Sequence, residues 1–113
     1  MREIIIGEET IQIRATPLAL LFYRQEFKSD LVGDLTKMEA IKTDYSKLDS
    51  VALLQLIWAM AKADKYPAKF EGFIGWLASL TEFNLSDASL FSAALEEAAD
   101  GFFRKGKKGP AKK

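Results

Sequence analysis

Val51-Ala52-Leu53-Leu54-Gln55-Leu56-Ile57-Trp58-Ala59-Met60-Ala61-Lys62-Ala63 is the stretch on which the fold turns. Gln55 and Lys62 are its two polar residues, and a spacing of seven puts both on one helical face with Ala52 and Ala59 between them. Leu53, Leu56, Ile57 and Met60 make the opposite face. A helix this apolar belongs at the centre of a domain, and the rest of the sequence reads as elements packed around it. The fold class predicted is mainly α (α+β): four to five helices in one core with a short N-terminal β-hairpin. Leu53, Ile57, Met60, Phe73, Ile74 and Leu77 are expected to be buried.

Upstream, residues 3–14 (Glu-Ile-Ile-Ile-Gly-Glu-Glu-Thr-Ile-Gln-Ile-Arg) read as two β-branched strands around a Gly-containing turn. Ile11 and Ile13 alternate with Thr10, Gln12 and Arg14, so one face is apolar and the other wet. A lone hairpin is marginal in water, so this one must lean on helices. Thr16-Pro17 then starts the first helix, residues 18–27, through a hydroxyl that can accept a free backbone N–H and a proline that lacks only an unneeded donor. Ser29-Asp30 ends it and can cap a second helix carrying Leu31, Leu35 and Met38, although Gly33 weakens that helix by about 1 kcal/mol relative to alanine. Residues 43–47 read as a polar connector, and Ser46-x-x-Asp49 as a capping-box start to the central helix.

Downstream, Asp64-Lys65-Tyr66-Pro67 breaks the chain, because proline disfavours helical geometry in the residue before it. Phe70, Phe73, Ile74 and Leu77 then form the apolar stripe of a fourth helix, with Trp76 and Leu80 at its margin and Gly72, Gly75 and Ser79 on the other face. Ser86-Asp87 caps a fifth helix, with Leu85 and Leu90 spaced as a hydrophobic staple and Phe91, Ala94, Leu95, Ala98 and Phe102 able to face inward. The domain is read as residues 1–103, and residues 104–113, made of Arg, Lys, Gly, Pro and Ala, as a flexible basic tail.

Composition narrows the function classes. The 113 residues suit one domain, and 49% hydrophobic with 28% charged residues is the balance of a globular chain. Cysteine and histidine are absent, which removes disulfides, thiolate and imidazole metal ligands and the commonest general base near neutral pH. Six of the 16 basic residues fall in residues 104–113 while all 16 acidic ones precede them, so residues 1–103 carry a net −6. That charge argues against nucleic-acid binding through the folded domain, which calls for a basic face. No apolar run approaches the roughly 20 residues that cross a bilayer, and the opening lacks a basic and then apolar leader; the expectation is a cytoplasmic protein that meets no membrane.

Neither a cofactor nor a catalytic constellation is expected. Glu96 and Asp100 share a helical face and can in principle hold a hard cation, but nothing else completes that site and a solvated acidic face accounts for them. Lys105-Gly106-Lys107-Lys108-Gly109 has no preceding strand and no following helix, as a phosphate-cradling loop requires. The remaining candidates are partner-binding residues. Trp76 at the stripe's margin and Phe102 and Phe103 at the fifth helix's end read either as core or as half-exposed anchors. Gly72 and Gly75, together costing about 2 kcal/mol inside a helix, imply either the close approach of another backbone, from this chain or a second copy of it, or a kinked helix.

In this order, the hairpin of residues 3–14 feeding Thr16-Pro17-Leu18, the helix Leu53-Leu54-Gln55-Leu56-Ile57-Trp58-Ala59-Met60-Ala61-Lys62-Ala63 and the segment Phe70-Glu71-Gly72-Phe73-Ile74-Gly75-Trp76-Leu77 resemble the tail assembly chaperones of long-tailed siphophages and related prophages. The resemblance covers residues 3–103. It implies a non-enzymatic role in the cytoplasm of a bacterial host: such proteins bind the long, helical tape measure protein and keep it soluble while the tail tube assembles around it, and they are absent from the mature virion. It also implies a longer product made by ribosomal frameshifting near the 3′ end of the gene, through which the tail tube protein would be met. The family brings no binding motif, so no site residue follows from it. The alternative reading is a small helical adaptor or regulator, antitoxin-like or anti-repressor; an enzyme using only carboxylates or lysines, and nucleic-acid binding through the tail, are further classes.

Overall fold

The isoleucines near the start of the chain fold as the hairpin their alternation predicts. In the computed structural model, which describes residues 2–7, 9–40, 50–80 and 88–102, β1 (Arg2–Ile6) pairs antiparallel with β2 (Glu9–Ile13), Ile4 opposite Ile11 and Ile6 opposite Glu9. Gly7 turns the chain with φ 62°, a conformation that a side chain would strain. Ile4, Ile6 and Ile13 are buried, whereas Ile5, in the opposite phase of β1, is 62% exposed. The strands lean on helices: β2 packs against α3 (Ser50–Lys65) and β1 against α5 (Ala88–Phe102).

α1 (Pro17–Phe27) begins as the Thr16-Pro17 pair predicts, with proline in its first turn. The capping chemistry differs from the expectation. The Thr16 hydroxyl makes no capping bond; the residue holds the first turn through its carbonyl, which accepts the Ala19 N–H at 2.9 Å. Lys28 ends the helix in the left-handed region, φ 57°, with its N–H on the Arg24 carbonyl. Asp30 then starts α2 (Leu31–Ala40) by accepting the Val32 N–H on its carboxylate, and Leu31 is buried. The Asp34 carboxylate ties α2 to its neighbours: it accepts from the Tyr23 hydroxyl at 2.8 Å and from Ser29 at 2.9 Å.

α3 is the centre. Leu53, Leu56, Ile57, Trp58, Ala59 and Met60 are fully buried, so burial reaches past the expected apolar face to Ala59. The face predicted to be polar is covered by α1. Gln55 lies 3.2 Å from the Tyr23 hydroxyl, and Lys62 lays its ammonium 4.7 Å from the Phe22 ring centre and 5.1 Å from that of Trp58. A lysine stem can cover apolar surface while its head reaches π faces, which is how a cation sits on a buried helix.

α3 stops at Lys65, just before Tyr66-Pro67, and α4 (Phe73–Ser79) follows. This fourth helix is shorter than its apolar stripe, because Phe70 precedes it and Leu80 caps it. Phe73 is buried as expected and Leu77 is half-buried, but Ile74 is 80% exposed, against the expectation. The reason is geometric: Ile74 and Trp76 stand about 200° apart around a helix, so one inward face cannot hold both, and the larger aromatic takes it. No helix among the described residues is long and apolar enough to cross a membrane.

The connector at residues 43–47, the Ser46 and Asp49 capping box, the Ser86-Asp87 cap, Leu85, Phe103 and residues 104–113 lie outside the described residues, as do the side chains of Leu35, Met38 and Phe91.

Candidate partner-binding site

Of the residues singled out by sequence, Gly72, Gly75 and Trp76 belong to one device, the seating of α4. Phe27 from α1 is its hub, edge-on to Trp58 at 5.4 Å and to Phe73 at 4.9 Å, with Tyr23 packed on its other side at 4.9 Å. Phe70 and Trp76 extend the cluster against Trp58 and Phe73. Two polar contacts fix where α4 begins. Glu26 accepts the Phe73 N–H at 2.9 Å, placing a carboxylate at the helix N-terminus, and the Trp58 indole N–H donates to the Glu71 carbonyl at 3.0 Å.

The structure bears on the readings left open for these three residues. Trp76 is 5% exposed, so its ring belongs to the core and not to an open anchor. Gly72 is the N-cap, outside the helix, so only Gly75 carries the helix-interior penalty of about 1 kcal/mol. Among the described residues, no backbone of this chain approaches either glycine. A Cβ on Gly75 would meet only the Glu71 side chain, and one on Gly72 only the Glu26 carboxylate, at ordinary contact distance. Phe102 is half-buried against the core at the end of α5.

The acidic residues of α5 are answered from the hairpin. Arg2 reaches Glu96 at 3.3 Å, Asp100 at 3.1 Å and the buried Glu97 at 3.5 Å. Glu97 also accepts the Ala15 N–H at 3.0 Å, so it joins α5 to the strand-to-helix corner. Glu96 and Asp100 do share a face, and an arginine spans them there. Among the described residues no group of three or more carboxylates is arranged to hold a metal ion.

Two surface features escaped the sequence reading. The first is a groove of about 710 Å³ between the start of α1 and the end of α3, lined by Pro17, Leu18, Leu21, Ala63 and Tyr66 and bounded by Arg14 and Asp64. Leu21 is 49% and Tyr66 57% exposed, and Arg14 Nε holds the buried Asp64 carboxylate at 3.2 Å. Tyr66 in the break before Pro67 was the available signal. The second is a cleft of about 250 Å³ beside β2, between Thr10, Ile11 and Gln12 on one side and Phe70 and Trp76 on the other. No local sequence signal announces it, since its walls come from residues far apart in the chain.

Comparisons with protein families, curated proteins and solved structures give no match for this chain.

Proposed function

We propose that this chain is a non-enzymatic tail assembly chaperone of a long-tailed phage or prophage, which binds the tape measure protein and keeps it soluble while the tail tube forms. The carrying observation is the ordered likeness of the hairpin, central helix and aromatic segment to that family. Two features of the surface support a protein-binding role. Leu21 and Tyr66 flank an apolar groove of about 710 Å³, a size that admits side chains of a partner, and Ile74 stands 80% exposed on α4. A net −6 over residues 1–103 and the absence of histidine and cysteine point the same way.

The test is co-expression with the product of any tape measure gene found beside this one. Retention of that protein in the soluble fraction, and its capture with the chain, is the expected result. If it stays insoluble and uncaptured in the presence of the chain, the reading fails, and a neighbourhood without any tape measure gene would favour a small helical adaptor or regulator. The longer product has its own check. Gly106-Lys107-Lys108-Gly109 and Ala111-Lys112-Lys113 are compatible with a slippery codon run. Synonymous, non-repetitive recoding of those lysines should abolish a longer product that shares residues 1 to about 105, while leaving this protein unchanged.

A further inference from the structure

In a hairpin closed by a two-residue turn, the closing pair exchanges both backbone hydrogen bonds, and the exchange recurs at every second pair. Ile6 and Glu9 close this hairpin, so Ile4 with Ile11 and Arg2 with Ile13 are the bonded pairs. The N–H and C=O groups of Thr10 and Gln12 therefore point away from β1. Arg14, next in the same phase, agrees: its N–H leaves the hairpin and donates to the Met60 carbonyl of α3 at 3.1 Å. Arg14 thus has a partner beyond the sheet. Among the described residues no strand other than β1 pairs with β2 at Thr10 and Gln12, and beside them lies the 250 Å³ cleft.

We propose that this edge of β2 takes up an extended segment of another protein as a third strand, with one apolar side chain in the cleft. Two observations select that occupant. Alternate backbone donors and acceptors along an edge are matched only by extended backbone, because a helix has already used its own. The cleft's walls are Ile11, Phe70 and Trp76, which suit an apolar side chain, and the exposed Lys65 beside them favours a flanking carboxylate. Trp76 thus meets a partner without leaving the core. The inference stands apart from the tail-assembly reading, since it concerns how a segment is held and not whose segment it is.

The probe is a synthetic peptide alternating valine and threonine, with a glutamate at each end, titrated into the full-length protein. Saturable binding is expected, with slowed hydrogen exchange at the Thr10 and Gln12 amides. Gln12→Pro removes an N–H that β1 does not use, so the hairpin should survive by circular dichroism while binding weakens at least tenfold. Two further peptides, N-methylated at one or the other set of alternate amides, decide the matter even if that variant misfolds: one set should abolish binding and the other leave it. Lys65→Glu should weaken binding about threefold. The proposal is overturned if the peptide does not bind, if both methylated peptides bind equally, or if a folded Gln12→Pro protein binds undiminished. It is also overturned if sedimentation shows a dimer that Gln12→Pro dissociates, because the edge then belongs to a second copy.

Discussion

α4 carries a glycine in its interior and α5 one in its last turn, and the two glycines mean opposite things. Gly101 lies so close to the strand-to-helix corner that a Cβ there would overlap the Cβ and carbonyl oxygen of Ala15. Four residues earlier Glu97 accepts the Ala15 N–H, and Arg2 closes the same corner over Glu96 and Asp100. Gly75 has no such neighbour. Its side of α4 is open, and the helix is held from the other side by Phe73, Trp76 and the Glu26 cap. A glycine in a helix thus marks a seam in one case and an empty surface in the other, and the sequence pattern alone does not distinguish them.

Both helices rest on α3, so the largest loss should come from beneath them. Ile57 is fully buried, and Ile57→Ala removes apolar contact and leaves a cavity, for an expected cost of about 2 to 5 kcal/mol in chemical denaturation. Leu53→Ala should behave alike. A loss under about 1 kcal/mol at both positions would show that the core is not organised around α3.

The next effect separates the two glycines. Gly101→Ala forces the end of α5 away from Ala15 and should cost about 1 to 3 kcal/mol, the range for overpacked sites, despite alanine's better helix propensity. A neutral or stabilised Gly101→Ala protein would mean that the seam gives way freely. Glu97→Ala tests the same corner through its polar contact. It leaves the Ala15 N–H without its acceptor and Arg2 without its buried partner, and about 1 to 3 kcal/mol is expected.

The degree to which sequence revealed these elements follows from how local their causes are. The hairpin, α1 and α3 were legible because alternation, a Thr-Pro start and a thirteen-residue stretch with two polar residues are written in neighbouring positions. The aromatic seat of α4 was not. It depends on Phe27, far from both Trp58 and Phe73 in sequence, standing edge-on to one helix and the next. Without that contact, the stripe of Phe70, Phe73, Ile74 and Leu77 is a reasonable inward face, with Trp76 at its margin. With it, the stripe rotates, Trp76 goes in and Ile74 comes out. Of the proposed partner-binding residues, Phe102 lies half-buried at the core's edge, while Gly72 serves as a cap and Gly75 faces open space. The Leu21 and Tyr66 groove was hidden for the same reason, since it forms only where α1 and the end of α3 meet.

A smaller effect, and of opposite sign, is expected on the open side. Gly75→Ala adds a methyl group that meets only the Glu71 side chain at ordinary contact distance and restricts the unfolded chain, so it should stabilise by about 0.5 to 1 kcal/mol. Set beside Gly101→Ala, it turns the comparison into a sign difference that thermal unfolding of the two variants reads directly. Destabilisation by both would place a neighbour against α4 that the fold of one chain does not supply, and a concentration-dependent melting temperature would identify that neighbour as a second copy.

The smallest effect on stability is expected at the most exposed large apolar residue among those described. Ile74 is 80% accessible, so Ile74→Ser removes almost no buried area, and its helix-propensity cost is a few tenths of a kcal/mol, inside the usual ±0.5 kcal/mol of surface changes. Its effect on the proposed partner is a separate matter. A large aliphatic side chain held in water on a helix whose other face is fixed by an aromatic cluster gains free energy only when something covers it, about 1.5 to 3 kcal/mol if coverage is complete. If the tape measure protein covers α4, Ile74→Ser should lower its capture about tenfold or more while the melting temperature stays put. Equal capture by the variant and the parent protein would assign the client instead to the groove beside Leu21 and Tyr66, where Leu21→Ser is the corresponding probe. If capture falls only together with stability, Ile74 is part of the fold in a way its exposure conceals, and the outer face of α4 loses its claim as a client surface.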